Sequence, residues 1–207
     1  MSHNTIVHAI VRPAVRLIAR TRIAPDHLTV VRFLTGVAAA VAFARGDILA
    51  GSFIFIVSCL LDRADGELAR QTQRFSQHGH RYDLWADWGS GALAFIGLGI
   101  GALDGPLGRA APVLGMLSAV GTTGLYWSIN VLQAHKTLPH VENAGGRVLV
   151  DPDDGMFAIP PLLWCFGATG VLLPAGILTP LLAGPMVLRV IRSQANMSGQ
   201  RSSPNPR

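Results

Sequence analysis

Charge is what this chain has least of. Only 14% of its 207 residues are charged, against about 25% in an ordinary soluble domain, while 50% are hydrophobic and mean hydropathy is +0.39. A chain so poor in charge cannot coat a soluble fold, and it reads as a small integral membrane protein. Cysteine is also scarce. Cys59 and Cys165 each lie in an apolar run with no Cys or His partner at ligand spacing, which excludes a zinc site and a disulfide framework. The net charge of +5 and pI near 10.2 raise the question of nucleic acid. No basic cluster with interleaved aromatics occurs and apolar segments separate the arginines, so no nucleic-acid partner is expected. Soluble domains, internal repeats and low-complexity blocks are absent as well.

What is present is a succession of apolar runs at about 28–44, 48–61, 84–103, 110–132, 156–173 and 175–191, which predict an all-α membrane protein of about six transmembrane helices. Several runs fall short of the roughly 20 residues a span needs, so polar motif residues must complete them. Breaks are expected at Gly46-Asp47, at Asp104-Gly105-Pro106, in the polar loop 134–155 and at Pro174; further prolines at 160, 161, 180 and 185 kink the last two helices. Ahead of the first span, His8, Arg12, Arg16 and Arg20 recur every four residues and form one cationic stripe on a helix over about 5–20. Such a helix lies in the headgroup region or against the protein body. A signal peptide competes for this N-terminal stretch, but the later segments are equally apolar and a multi-span protein accounts for all of them.

Six spans put both termini on one side. That side then holds Arg12, Arg16, Arg20, Arg22, Arg63, Arg70, Arg74, Arg81, Lys136, Arg147, Arg189, Arg192, Arg201 and Arg207, and the other only Arg45 and Arg109. The positive-inside rule therefore places both termini and the 134–155 loop in the cytosol. Residues 1–193 form a single membrane domain with spans from about 28 to 192, and 194–207 read as a disordered polar tail.

Acids are rarer still: ten aspartates and two glutamates. Four of the aspartates fall in one frame, Asp62-Arg63-Ala64-Asp65-Gly66-Glu67-Leu68-Ala69-Arg70, then Gly79, Asp83 and Asp87. Carboxylates beside a membrane need a function. At i and i+3, Asp62 and Asp65 share a helix face, and Asp83 and Asp87 at i and i+4 share another. Two helices joined by a short cytosolic turn bring all four together, where like charges repel unless a cation neutralises them. Hard oxygen ligands favour Mg²⁺ or Mn²⁺, and four can hold two ions. Gly66 clears room for a ligand and Arg70 supplies a fixed charge for a phosphate.

This stretch resembles the signature of the CDP-alcohol phosphotransferase family, D-x-x-D-G-x-x-A-R-x8-G-x3-D-x3-D, at every fixed position and spacer. Pro25-Asp26-His27-Leu28-Thr29 is similar to the family's Pro-Asn-x-Leu-Thr, with Asp26 where asparagine is usual. The resemblance implies that Asp62, Asp65 and Asp83 bind two divalent ions that hold the diphosphate of a CDP-linked donor. It implies that Asp87 deprotonates the acceptor hydroxyl and also touches a metal. Gly66, Ala69 and Gly79 would leave room for the nucleotide, with Asp62 and Arg70 also on the donor. The expected activity is transfer of a phosphatidyl group from CDP-diacylglycerol, or of the corresponding group from another CDP-alcohol, to a small alcohol with release of CMP. The acceptor leans toward a phosphorylated polyol. Members of the resembled family are often homodimers, and membrane lipids are the remaining expected partners.

Other residues carry two readings each. Arg63, Arg74 and Arg81 either gather an anionic acceptor or anchor the topology, and Arg32, one turn inside the first span, either snorkels to the interface or faces a polar cavity beside the aspartates. His78 and His80 lack metal spacing and read as interfacial. Asp151, Asp153 and Asp154 line an acceptor entrance or simply favour a helix start. Trp85 and Trp88 read as membrane-edge anchors. The glycines at 89, 91, 97, 99 and 101 permit close helix packing, with Gly97 and Gly101 forming a G-x-x-x-G pair. Two rival functions stand: a prenyltransferase, which normally shows two separate aspartate-rich motifs, and a divalent-cation transporter, which needs acids deep in several helices.

Overall fold

The computed structural model describes the backbone of residues 6–21, 24–73, 77–134 and 152–201, and side chains within those ranges except at 6–9, 77–85, 87, 133–134, 152–154 and 196–201. Within them the chain is helical: α1 (Ile6–Ile18), α2 (Pro25–Ala44), α3 (Ile48–Thr72), α4 (Gln77–Gly101), α5 (Ala110–Ala134), a 3₁₀ turn (Pro152–Ala158) and α6 (Ile159–Arg201). At 1.5 Å per residue, 20 to 25 residues extend about 30 to 37 Å, the thickness of a bilayer's hydrocarbon core. By length and composition together, Pro25–Ala44 and Gly155–Ala195 are apolar enough to cross a membrane. The third helix is not, because its last turns carry Asp62, Arg63, Asp65, Glu67 and Arg70.

Polarity is inverted relative to a soluble protein. Val30, Val31, Phe33 and Leu34 on α2, Val113, Met116 and Val120 on α5, and Leu181 and Leu182 on α6 are exposed, whereas Arg32, Asp65, Glu67, Ser58 and Ser90 are buried. So many exposed apolar side chains fit an apolar surround such as a membrane.

Two of the expected breaks occur where turn chemistry places them. Gly46, at φ +79, turns α2 into α3, and Asp47 caps α3 by accepting the Ala50 N–H at 2.9 Å. The stretch from Ala102 to Arg109 separates α4 from α5. The break expected at Pro174 is not there. Helix α6 runs through Pro174, Pro180 and Pro185 and is interrupted instead at Gly167, with φ 67 and ψ −179. A proline lacks one hydrogen bond but keeps a helical φ, whereas the left-handed region admits glycine without strain. The C-terminal helix also continues to Arg201, beyond the start of the expected disordered tail; no proline intervenes between Ser193 and Arg201, and Ala195, Met197, Gln200 and Arg201 favour helix. Residues 202–207 and most of the 134–155 loop, including Lys136, Arg147 and Asp151, lie outside the described residues.

Glycine faces set the helix spacing. A Cβ at Gly97 would run into the Ala40 carbonyl and one at Gly101 into that of Phe43, so the G-x-x-x-G pair packs α4 on α2 within the chain. Gly99 and Gly115 bring α4 and α5 together in the same way. Leu114 meets Gly176, Gly121 meets Thr179 and Pro180, and Gly124 meets Ala183 and Val187. The numbers rise together, so α5 and the long arm of α6 run parallel. One core joins Phe43, Phe55, Phe95, Leu98, Leu163 and Leu172. The first helix docks on the body: Val11 and Val15 pack against Leu28, Ala64 and Leu68, while Arg16 and Arg20 stay exposed.

Candidate active site

The start of α2 shows why Pro-Asp-His-Leu-Thr is a helix-opening sequence. Pro25 occupies the first helical position, where its missing N–H costs nothing. Asp26 lies exposed on the first turn, complementing the helix dipole. The His27 Nδ1 accepts the Ala24 N–H at 3.2 Å. One turn further, Thr29 is buried and its hydroxyl donates to Asp65 Oδ2 at 2.9 Å; the Pro25 carbonyl is a second, longer acceptor at 3.3 Å. Thr29 thus helps to orient Asp65.

The next turn of α2 supplies Arg32. Its side chain is 4% exposed, and Nη1 lies 2.6 Å from Asp62 Oδ1 and 3.8 Å from Asp65 Oδ2. The Arg32 carbonyl accepts from Ser58 of α3 at 2.9 Å and from Thr35 at 2.7 Å, fixing the backbone from which the guanidinium projects. Of its two readings, facing the cavity beside the aspartates is the one the geometry matches. Arg63 also faces Asp62, with Nε 4.0 Å from Oδ2.

As the i, i+3 spacing requires, Asp62 and Asp65 present their carboxylates on one face of α3 toward α2. This pair of hard oxygen donors fits a divalent cation. Among the described residues no group of three His, Cys, Asp or Glu side chains gathers; Asp83 and Asp87 lie on α4 with side chains outside the description, as do those of Arg81, His78, His80 and Trp85, and Arg74 is outside it altogether. Just past the motif, α4 comes near Asp62. Ser90 and Gly91, three and four residues beyond Asp87, line the same cavity of about 30 Å³ as Arg32, Ser58, Asp62 and Tyr126. Gly36 permits this approach, since a Cβ there would meet Ser90 Oγ at 2.5 Å.

Among the described residues the space above Gly66 is open: an added Cβ would meet only the tip of Arg70, at 3.6 Å. Ala69 is half-buried on the same helix, and Gly79 lies on α4. Arg70 is held by Glu67, with Nη2 at 3.1 Å and Nε at 3.3 Å from Oε2. Glu67 also accepts from Gln71 at 3.1 Å and pairs with Arg12 of α1 at 3.5 Å. Burial pushes its carboxyl up, but the hydrogen bonds from Gln71 and Arg70 and the charges of Arg70 and Arg12 outweigh that and hold it below the ordinary glutamate value. Glu67 is a hub that motif reading passes over, because it stands at an unspecified position of the frame. Its spacing to Arg70 and Gln71, i+3 and i+4, was the available signal.

Comparisons with known proteins bear on the family and the fold. The model of the CDP-alcohol phosphatidyltransferase family matches residues 22–183. The fold is similar to solved structures of the Mycobacterium tuberculosis phosphatidylinositol phosphate synthase PgsA1. The form with CDP-DAG bound is 20% identical, with a TM-score of 0.60 over 89% of this chain and 91% of that one. The apo form gives 19% and 0.62 over 87% and 93%, and the complex with manganese and citrate 19% and 0.59 over 88% and 89%. No curated protein matches the chain.

Proposed function

The chain belongs to the CDP-alcohol phosphatidyltransferase family, and from that premise we propose that it moves a phosphatidyl group from CDP-diacylglycerol to the hydroxyl of a small alcohol, releasing CMP. It is a CDP-alcohol phosphotransferase, and its apolar exterior is that of an integral membrane protein. The observation that carries the reading is the Asp62–Asp65 face of α3, with Asp65 buried and Asp62 half-buried, held by Thr29 and Arg32 inside the family's aspartate frame. With that family shown, the prenyltransferase and cation-transporter readings fall away.

Asp62, Asp65 and Asp83 would hold two divalent ions, Mg²⁺ or Mn²⁺, with Asp87 at their edge. When bound, these ions supply charge neutralisation to the donor diphosphate and to departing CMP. The chain's own residues do the rest. Thr29 keeps Asp65 in place. Arg70, steadied by Glu67, offers its guanidinium to a phosphate across the open space at Gly66, with Ala69 and Gly79 leaving room for the nucleotide. Asp87 takes the proton of the acceptor hydroxyl as its oxygen bonds to the lipid-side phosphorus and the bond from that phosphorus to the CMP oxygen breaks. The electron pair of that bond leaves with CMP. Arg63, Arg74 and Arg81 gather the acceptor, for which a phosphorylated polyol is the best candidate. That choice is supported by the inositol phosphate chemistry in the name of the similar synthase.

In the membrane we place six crossings, counting the two arms of α6 on either side of Gly167. Helix α1 lies at the interface, with both termini and the site on the cytosolic side, as the distribution of arginines requires. A homodimer would pair through a surface other than the Gly97–Gly101 face, which α2 already covers. The test is CMP release by purified protein given CDP-diacylglycerol, Mg²⁺ or Mn²⁺ and a panel of alcohols including inositol phosphate and glycerol phosphate. CMP with at least one acceptor is expected; none with any acceptor refutes the donor assignment.

A further inference from the structure

We propose that Arg32 is a built-in cation that competes with the divalent ions for Asp62 and Asp65 and thereby ties metal loading to arrival of the donor's diphosphate. The proposal rests on the reading of the donor given above. Asp65 and the Arg32 side chain are almost completely buried, and two carboxylates one helical turn apart repel in a low-dielectric site. The Arg32 guanidinium supplies the missing positive charge, at 2.6 Å from one carboxylate and 3.8 Å from the other. It thereby occupies Asp62 Oδ1, and a divalent ion and a guanidinium cannot share that donor direction.

Loading a metal therefore requires Arg32 to give way. Pulling a buried guanidinium away from the two carboxylates that hold it is strongly unfavourable, so the ion alone binds weakly. The donor changes that balance because its diphosphate is an anion that takes the released guanidinium while the ions take the aspartates. The cavity beside Arg32 gives the side chain room to turn. Ser90, which lines it, is 6% exposed and its hydroxyl has no hydrogen-bond partner among the described residues, leaving an acceptor for the moved N–H groups. Coupling of this kind is reciprocal: the donor tightens the metal by the factor by which the metal tightens the donor.

The experiment is a Mn²⁺ titration followed by electron paramagnetic resonance, on wild type, Arg32→Gln and Arg32→Lys in detergent micelles with and without CDP-diacylglycerol. Protein-free micelles are subtracted, and CMP release by wild type is read alongside. For Arg32→Gln we expect Mn²⁺ without donor to bind about tenfold tighter than in wild type, equivalent to about 1.4 kcal/mol, and to gain less from added donor. Arg32→Lys, shorter and without the planar fork, falls between the two and decides the matter alone if the glutamine variant does not fold. Mn²⁺ affinity equal to or weaker than wild type in the variants overturns the proposal. If wild type releases CMP in that case, only the role of Arg32 falls. If wild type releases no CMP and shows no donor effect on Mn²⁺, the donor reading falls, and with it the coupling.

Discussion

Replacing Thr29 with valine removes one hydroxyl and keeps the shape, so it isolates the bond that aims Asp65. The Thr29 Oγ1 to Asp65 Oδ2 distance is 2.9 Å and both residues are buried. A hydrogen bond to a charged group contributes about 1.5–3 kcal/mol. Arg32, 3.8 Å from the same oxygen, moves closer and recovers part of this, so a net loss of about 2 kcal/mol is expected. If that loss falls wholly on the orientation a metal needs, it corresponds to roughly a 30-fold weaker ion, within the 10- to 100-fold range found when partners behind metal ligands are removed. The assay is Mn²⁺ affinity with CMP release at saturating donor. Thr29→Ser, which restores the hydroxyl, serves as control and returns to near wild type. Wild-type Mn²⁺ affinity in Thr29→Val would show that Asp65 holds its position unaided, and the positioning role would be wrong.

Four further outcomes follow from particular residues. Asp87→Asn should abolish CMP release while retaining CDP-diacylglycerol binding, as read by equilibrium binding of labelled donor; turnover at the wild-type rate removes Asp87 from the chemistry. Gly97→Leu must push α4 off the Ala40 carbonyl and should cost about 1–3 kcal/mol or more, lowering the melting temperature in detergent. Gly66→Leu meets only the tip of Arg70 among the described residues and should leave melting unchanged while raising the KM for donor. Glu67 sets a pH window: its folded-state pKa is lowered, so the stability it contributes is complete above the unfolded value near 4.3 and is lost as pH falls through the folded value. Proteolysis between α1 and α2 should therefore accelerate only in that acid range, and Glu67→Gln should abolish the pH dependence.

The site was legible in sequence where chemistry fixes spacing and less so where packing decides. Asp62 and Asp65 fall on one helix face because i and i+3 must, and Pro25 opens α2 because a missing N–H is harmless at that position. Thr29 stood in plain view within its motif, yet no local rule links it to Asp65, 36 residues away; only the crossing of α2 over α3 does. Arg32 was ambiguous for the same reason, since a periodicity places a side chain on a helix face without saying which helix covers it. Proline misled the reading of the last helix. Its effect on a helix inside a packed, apolar surround is a kink that neighbours absorb, whereas Gly167 adopts the left-handed φ that turns the chain.

The inverted polarity of the fold explains why the charges near the aspartates are arranged as pairs. In water, Arg32 and Arg63 would be solvated and only weakly drawn to Asp62. Beside a bilayer, each charge needs a partner at short range, and the motif's carboxylates are the partners within reach. A site that is to take metal and diphosphate, as proposed, must also be stable before either arrives, and the aspartates alone would destabilise it. Cationic side chains on α2 and α3 resolve that conflict only if they can exchange partners. The exchange demands acceptors of both kinds within one side-chain length, which is what Asp62, Ser90 and an incoming diphosphate provide around Arg32.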